Sequence, residues 1–101
     1  MTQETKYIET HIGEFLQDEF LTPLNLTPNA LAIAIKVPAT RIYEIIKGRR
    51  GVTIDTDLRL CKYFGVRDGY FLRIQETLER PDVERAISQE LESIIPYKDV
   101  A

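Results

Sequence analysis

The sequence predicts an all-α domain, a compact bundle of five or six helices. Three observations carry that reading. Apolar residues recur three and four positions apart along nearly the whole chain, the spacing of a helix face. Gly and Pro fall singly, each where a helix would start or stop. Only "RGVTI" has the look of a strand, and five residues cannot make a sheet alone. At 101 residues the chain suits one domain with a modest core. Its 44% hydrophobic and 29% charged residues are ordinary for a globular protein.

The first helix is expected from about Gly13 to Thr22, with Phe15, Leu16, Phe20 and Leu21 on its buried side and Pro23 stopping it. The second starts at Thr27, whose hydroxyl can cap free backbone N–H groups, with Pro28 at the first helical position. Leu31, Ala32 and Ile35 point inward. The third runs from near Pro38 to Gly48, a left-handed terminator, and buries Ile42, Ile45 and Ile46. The fourth begins around Thr53 and ends at Gly65. Asp55 sits in its first turn, and Leu58, Cys61 and Phe64 face the core. The fifth spans Asp68 to about Glu79, with Phe71, Ile74 and Leu78 inward. The last begins at Pro81, carries Val83, Ala86, Ile87, Leu91, Ile94 and Ile95 at helical spacing, and ends at Pro96 before a frayed "YKDVA". Residues 1–10 read as an N-terminal arm, 11–80 as the main domain, and 81–101 as a C-terminal helix and tail of the same fold.

The net charge of −3 hides a pattern. Residues 1–26 carry one Lys and five acids, residues 27–67 eight Lys or Arg and three acids, and residues 68–101 four Lys or Arg and eight acids. A basic middle between acidic ends points to two faces with different electrostatic partners.

Several classes are set aside by what the chain lacks. No run of about 18 apolar residues occurs, so no membrane span is expected. The start, "MTQETKYIETHIGE", lacks the basic residues and apolar stretch of a signal peptide, so the expected location is cytoplasmic. Cys61 is the only cysteine and His11 the only histidine, too few ligands for a zinc site, and no other metal or cofactor is expected. No nucleophile–base order or phosphate-binding loop appears, so the chain reads as a non-enzyme. His11 is expected to cap or pack at a helix start rather than act as a general base.

The second and third helices are short and joined only by "KVPAT", which makes a helix-turn-helix. In such a unit the second helix fits the major groove of DNA and its N-terminal residues reach base edges. With Ile42 and Ile45 held by the core, Thr40, Arg41 and Tyr43 are expected to face outward. Arg41 is the leading base reader, because its planar fork matches guanine O6 and N7. Lys47, Arg49 and Arg50 suit phosphate contacts. Asn29, at the start of the preceding helix, can join exposed backbone N–H groups at a phosphate. Glu44 counts slightly against DNA on this face, though it could accept from cytosine N4 or orient Arg41. The bland alternative is a small helical bundle with a solvated basic face.

The motifs also carry a resemblance. "HIGEFLQDEFLTPLNLTPNALA", "RIYEIIKGRRGVTIDTDLRLCKYFG" and "YFLRIQ" resemble successive signatures of the HigA-type antitoxins, within the helix-turn-helix regulators related to phage repressors. The likeness is dense from His11 to Gln75; residues 76–101 match only in being helical. It implies a lambda-repressor-like fold and a homodimer. It also implies a DNA-binding antitoxin that neutralises a small basic mRNA-cleaving toxin (HigB-like) and represses its own operon, with double-stranded operator DNA as the second partner. A stand-alone repressor without a toxin, or a protein-interaction module that has lost DNA binding, are the alternatives. Three positions depart from the family. Ile12 stands where Pro is usual and Lys36 where the turn usually has Gly. A left-handed Lys36 would cost about 1 kcal/mol. Asp57 replaces a usual Ala and is expected to be partly exposed.

Overall fold

The computed structural model describes residues 11–100, so the N-terminal arm expected at 1–10 lies outside the described residues. Six α-helices follow in order: α1 Ile12–Leu16, α2 Pro28–Ile35, α3 Ala39–Ile46, α4 Ile54–Phe64, α5 Tyr70–Ala86 and α6 Ser88–Ser93. A π-helical turn, Gln17–Leu21, extends α1, and a 3-10 turn, Tyr97–Val100, follows α6. No strand occurs among the described residues.

Local chemistry sets the helix starts. His11 caps α1: its Nδ1 accepts the Gly13 N–H at 3.1 Å. The π turn closes through the Thr22 N–H donating to the Gln17 carbonyl at 2.9 Å. Thr27 Oγ1 accepts the Ala30 N–H at 3.1 Å with Pro28 in the first turn of α2, as the sequence predicts. Thr53 caps α4 in the same way. Lys36 ends α2 in the left-handed conformation, φ 65° and ψ 49°.

The core gathers Ile12, Leu16, Leu21, Leu31, Ala32, Ile35, Ile42, Ile45, Val52, Leu60, Cys61 and Phe71. Phe20 stacks at its edge against Phe64 and Phe71, ring centres 4.7 and 5.2 Å away. Gly13 lets α1 cross α3 at backbone contact. A Cβ there would lie 1.9 Å from the Ile45 carbonyl oxygen.

Three expectations need correction. On α4 the buried residues are Thr56, Asp57, Leu60 and Cys61, with Phe64 half-buried, while Leu58 is 46% exposed. Asp57 is 1% exposed, not partly exposed. Its Oδ2 accepts the Gly69 N–H at 2.6 Å, and its Oδ1 accepts those of Phe71 and Leu72 at 2.9 and 3.1 Å. The carboxylate thus serves as the N-terminal cap that α5 lacks locally. Third, Pro81 does not start a helix but lies inside α5. It removes the N–H that would bond the Thr77 carbonyl and crowds that carbonyl with its ring, but both residues sit on the exposed side, where water can serve the oxygen. Arg80 pairs with Glu76 and Glu84 across the same turn, four residues each way. The break comes at Ile87, φ −112° and ψ 20°, and α6 ends at Ser93, with extended Ile94 flanking it two residues before Pro96.

Candidate nucleic-acid interface

The α2–turn–α3 unit is held from beneath by Ile42 and Ile45, both fully buried. Thr40 and Tyr43 stand exposed on the outer side of α3, and Asn29 is exposed in the first turn of α2. Lys47, Arg49 and Arg50 are exposed where α3 ends. Gly48, φ 78°, turns the chain there, packed under the His11 ring. The loop is then pinned. Gln75 Oε1 accepts the Val52 N–H at 2.7 Å, and its Nε2 donates to the Val52 carbonyl at 3.1 Å. The backbone beneath Arg49 and Arg50 is therefore tied to α5.

Two charged residues take different partners from those expected. Arg41 is not a free outward side chain. Its Nη1 lies 3.0 Å from Asp55 Oδ1 and 3.5 Å from Thr56 Oγ1, and its side chain is 28% exposed. Glu44 does not orient Arg41; its carboxylate pairs with Arg50 at 2.8 Å. Both outcomes follow from position. The first turn of α4 abuts the head of α3, bringing Asp55 within reach of Arg41. Glu44 meets the chain as it folds back after Gly48.

Arg59, which the sequence pattern left unassigned, completes the arrangement. Its Nε donates to Asp55 Oδ1 at 2.8 Å, and its Nη1 donates to the Ile35 and Lys36 carbonyls at 2.9 and 3.2 Å. A cation is thus placed on the free carbonyls at the end of α2. The Arg59 hydrogen bond, joined by its charge and by Arg41, holds the Asp55 carboxyl below its ordinary value. One acid therefore links α2, α3 and α4. The spacing of Asp55 and Arg59, four apart on one helix, is the signal that would have paired them.

Comparison with known proteins bears on this geometry. No family model matches the sequence. Virulence-associated protein I of Dichelobacter nodosus is 41% identical over 86 residues, covering 85% of this chain and 79% of that one. Antitoxin HigA-1 of Vibrio cholerae is 30% identical over 95 residues, covering 93% and 89%. Among solved structures, the Pseudomonas aeruginosa antitoxin HigA with the higBA promoter superposes with a TM-score of 0.78 at 32% identity, covering 87% of this chain and 96% of that one. The chain belongs to the HigA antitoxin family.

Within this HigA-type frame, the helix-turn-helix is shown as fold and motif. The matched stretch of 95 residues in the Vibrio cholerae antitoxin reaches past Gln75 into the C-terminal helices.

Proposed function

We propose that this HigA-family chain is a DNA-binding antitoxin that represses its own operon and neutralises a small basic toxin. The observation that carries the DNA half is the outer side of α3. Thr40 and Tyr43 stand exposed at its head, and Lys47 and Arg49 at its foot, over a backbone pinned by Gln75. That layout supports base contacts at the head and phosphate contacts at the foot. The Pseudomonas relative solved with its promoter supports the same use of the unit.

Arg41 reads bases in this proposal from within its pair with Asp55. Asn29 and Arg50 add phosphate contacts, Arg50 by exchanging Glu44 for a phosphate oxygen. The test is a binding titration of the DNA upstream of the gene against a random duplex. Arg41→Ala should cost about 1–3 kcal/mol on the upstream DNA and little on random DNA. Lys47→Ala should weaken both and lower the salt dependence by about one unit. An unchanged operator affinity in Arg41→Ala removes Arg41 from the readers. No preference of the wild type for its upstream DNA overturns the DNA reading and leaves the protein-interaction module.

One recognition helix reads too few bases to be selective, so two are presented by a homodimer. Supporting this, the C-terminal stripe does not close the monomer core: Leu91, Ile94, Ile95 and Tyr97 are 48%, 64%, 66% and 85% exposed. Leu91 lines a groove of about 630 Å³ together with Leu72, Val83 and Ile87. A small basic reading frame beside the gene favours the antitoxin over a stand-alone repressor. The chain carries no helix among its described residues long and apolar enough to cross a membrane. The proposed location is the cytoplasm, where operator DNA lies.

A further inference from the structure

Building on the DNA reading above, we propose that Asp55 is a positioning residue for sequence discrimination, presenting the Arg41 guanidinium to a matching base edge while denying its charge to a bare phosphate.

Both bonds that hold Arg41 leave from one nitrogen. Nη1 reaches Asp55 Oδ1 at 3.0 Å and Thr56 Oγ1 at 3.5 Å. A guanidinium carries five N–H donors in a fixed plane, so fixing one corner orients the rest. The Nε and Nη2 edge of Arg41 makes no hydrogen bond among the described residues. The side chain stays 28% exposed at the head of α3. Such an edge is ready-made for two acceptors side by side, as on guanine.

The carboxylate is itself immobilised. Arg59 Nε holds the same Oδ1 at 2.8 Å while Arg59 Nη1 is fastened to the Ile35 and Lys36 carbonyls. Asp55 therefore cannot follow Arg41 if that residue swings toward a phosphate. Its side chain is 57% exposed, so a phosphate drawn to Arg41 without a matching base also meets a negative charge. A free arginine attracts any duplex. An arginine leashed to an acid loses most of that general attraction and keeps its directional donors. Specificity is a difference between two affinities, and this arrangement lowers the unwanted one. Ordering the fork before DNA arrives also removes part of the entropy cost of the specific contact.

The alternative is that the cluster only clamps three helices together. A clamp and a positioning device differ in what they move. The experiment uses the full chain, its own upstream DNA and a random duplex of equal length, titrated across salt, with thermal unfolding in parallel. Asp55→Asn is expected to raise random-duplex affinity and steepen its salt dependence by about one unit, as one cation is released. Upstream affinity is not expected to rise in step, so the ratio of the two falls by about tenfold, the worth of one well-placed bidentate contact. Asp55→Glu is expected to restore part of the ratio. Arg41→Lys keeps the charge and loses the fork, so it should hold random-duplex affinity and lose upstream affinity. A lowered Tm with an unchanged ratio and an unchanged salt slope in Asp55→Asn makes the cluster a clamp only and overturns the proposal. If Asp55→Asn does not fold, equal losses on both DNAs in Arg41→Lys overturn it. A wild type that prefers its upstream DNA, weakened on both duplexes by Lys47→Ala, shows that the DNA reading stands whichever way Asp55 falls. A wild type with no preference ends both.

Discussion

The Asp57 carboxylate on α4 accepts the Gly69 N–H at 2.6 Å, and from that one buried acid the start of α5 is organised. Gly69 is left-handed, φ 89°, and has no side chain to cap the helix that follows. Asp57 supplies the missing acceptors from another element, taking the Phe71 and Leu72 N–H groups as well. Asp57→Ala leaves three donors without a partner in a buried setting. Each such loss costs about 1–3 kcal/mol, so a total of about 3 kcal/mol is expected in urea unfolding, allowing for water entry. The prediction is pointed because Ala is the residue the resemblance makes usual at this position. A loss below about 1 kcal/mol would show that the carboxylate is dispensable to α5.

Lys36 is the second position where this chain departs from the expected residue. It sits at φ 65°, a conformation in which a Cβ crowds the backbone. Its carbonyl, not its side chain, is what Arg59 uses. Lys36→Gly should therefore keep the Arg59 contact and raise stability by about 1 kcal/mol, read from the urea midpoint. Destabilisation would mean that the lysine stem contributes packing that outweighs the strain.

These two residues also mark what was legible in the sequence. Capping residues act on their own neighbours, so Thr27 with Pro28, Thr53, and the terminators Gly48 and Gly65 could be read directly. The buried pair Ile42 and Ile45 followed from spacing on a strongly two-sided helix. Long-range polar partners leave no such trace. A buried Asp57 breaks the apolar pattern of α4, so spacing by three points to Leu58, one position off the buried face. Pro81 read as a boundary because its cost depends on whether Thr77 faces water, which periodicity does not encode. At the interface, the exposure of Thr40, Tyr43, Lys47 and Arg49 agrees with the spacing of α3. The pairs of Arg41 with Asp55 and of Arg50 with Glu44 depend on how α4 and the loop pack, and leave no trace in the spacing.

Glu79 links α5 to the start of α1. Burial pushes its carboxyl above the ordinary 4.5, against the opposing Ile12 N–H and His11. The folded protein thus holds this proton more tightly than the unfolded chain. Stability from this group is gained as pH falls from neutrality through the folded value, and stops changing once the unfolded carboxyl is protonated too. Glu79→Gln mimics the protonated form. Its Tm should exceed that of the wild type near neutrality, and the difference should vanish in acid. Comparing the two proteins at each pH cancels the other titrating groups. A difference that persists unchanged into acid would assign the effect to packing instead.

The C-terminal groove sets the next expectation. Val83 and Ile87 are only half-buried, and Leu91 beside them is 48% exposed. A second copy would cover this stripe. Light scattering at tens of micromolar should give twice the chain mass for the wild type and the chain mass for Ile87→Glu, with helicity retained. A monomeric wild type would end the dimer reading.

The toxin-facing surface is the last question. A basic partner should meet acids, because like charges at the α3 face would repel it. Two acidic sets are available, one at each end of the chain. At the C-terminal end, Glu84 is bonded to Arg80 and Asp82 to Arg85, while Glu90 and Glu92 are exposed with no ion pair among the described residues. At the other end, Glu14, Asp18 and Glu19 are exposed on α1 and its π turn, with no ion pair among the described residues. The sequence adds Glu4 and Glu9, with Tyr7 and Ile8 beside them, but these four lie outside the described residues. The C-terminal set lies on the helices proposed for the dimer interface, so the N-terminal set is the expected contact. Apolar anchors at Tyr7 and Ile8 would supply the affinity that charge alone does not. Such a complex leaves α3 open, so a toxin-bound dimer could still hold DNA. Co-purification of the neighbouring toxin with the full chain, and its loss from a chain lacking residues 1–10, is the expected outcome. Retention by the truncated chain, with loss on changing Arg49 and Arg50, would put the toxin on the basic face and make toxin and DNA competitors.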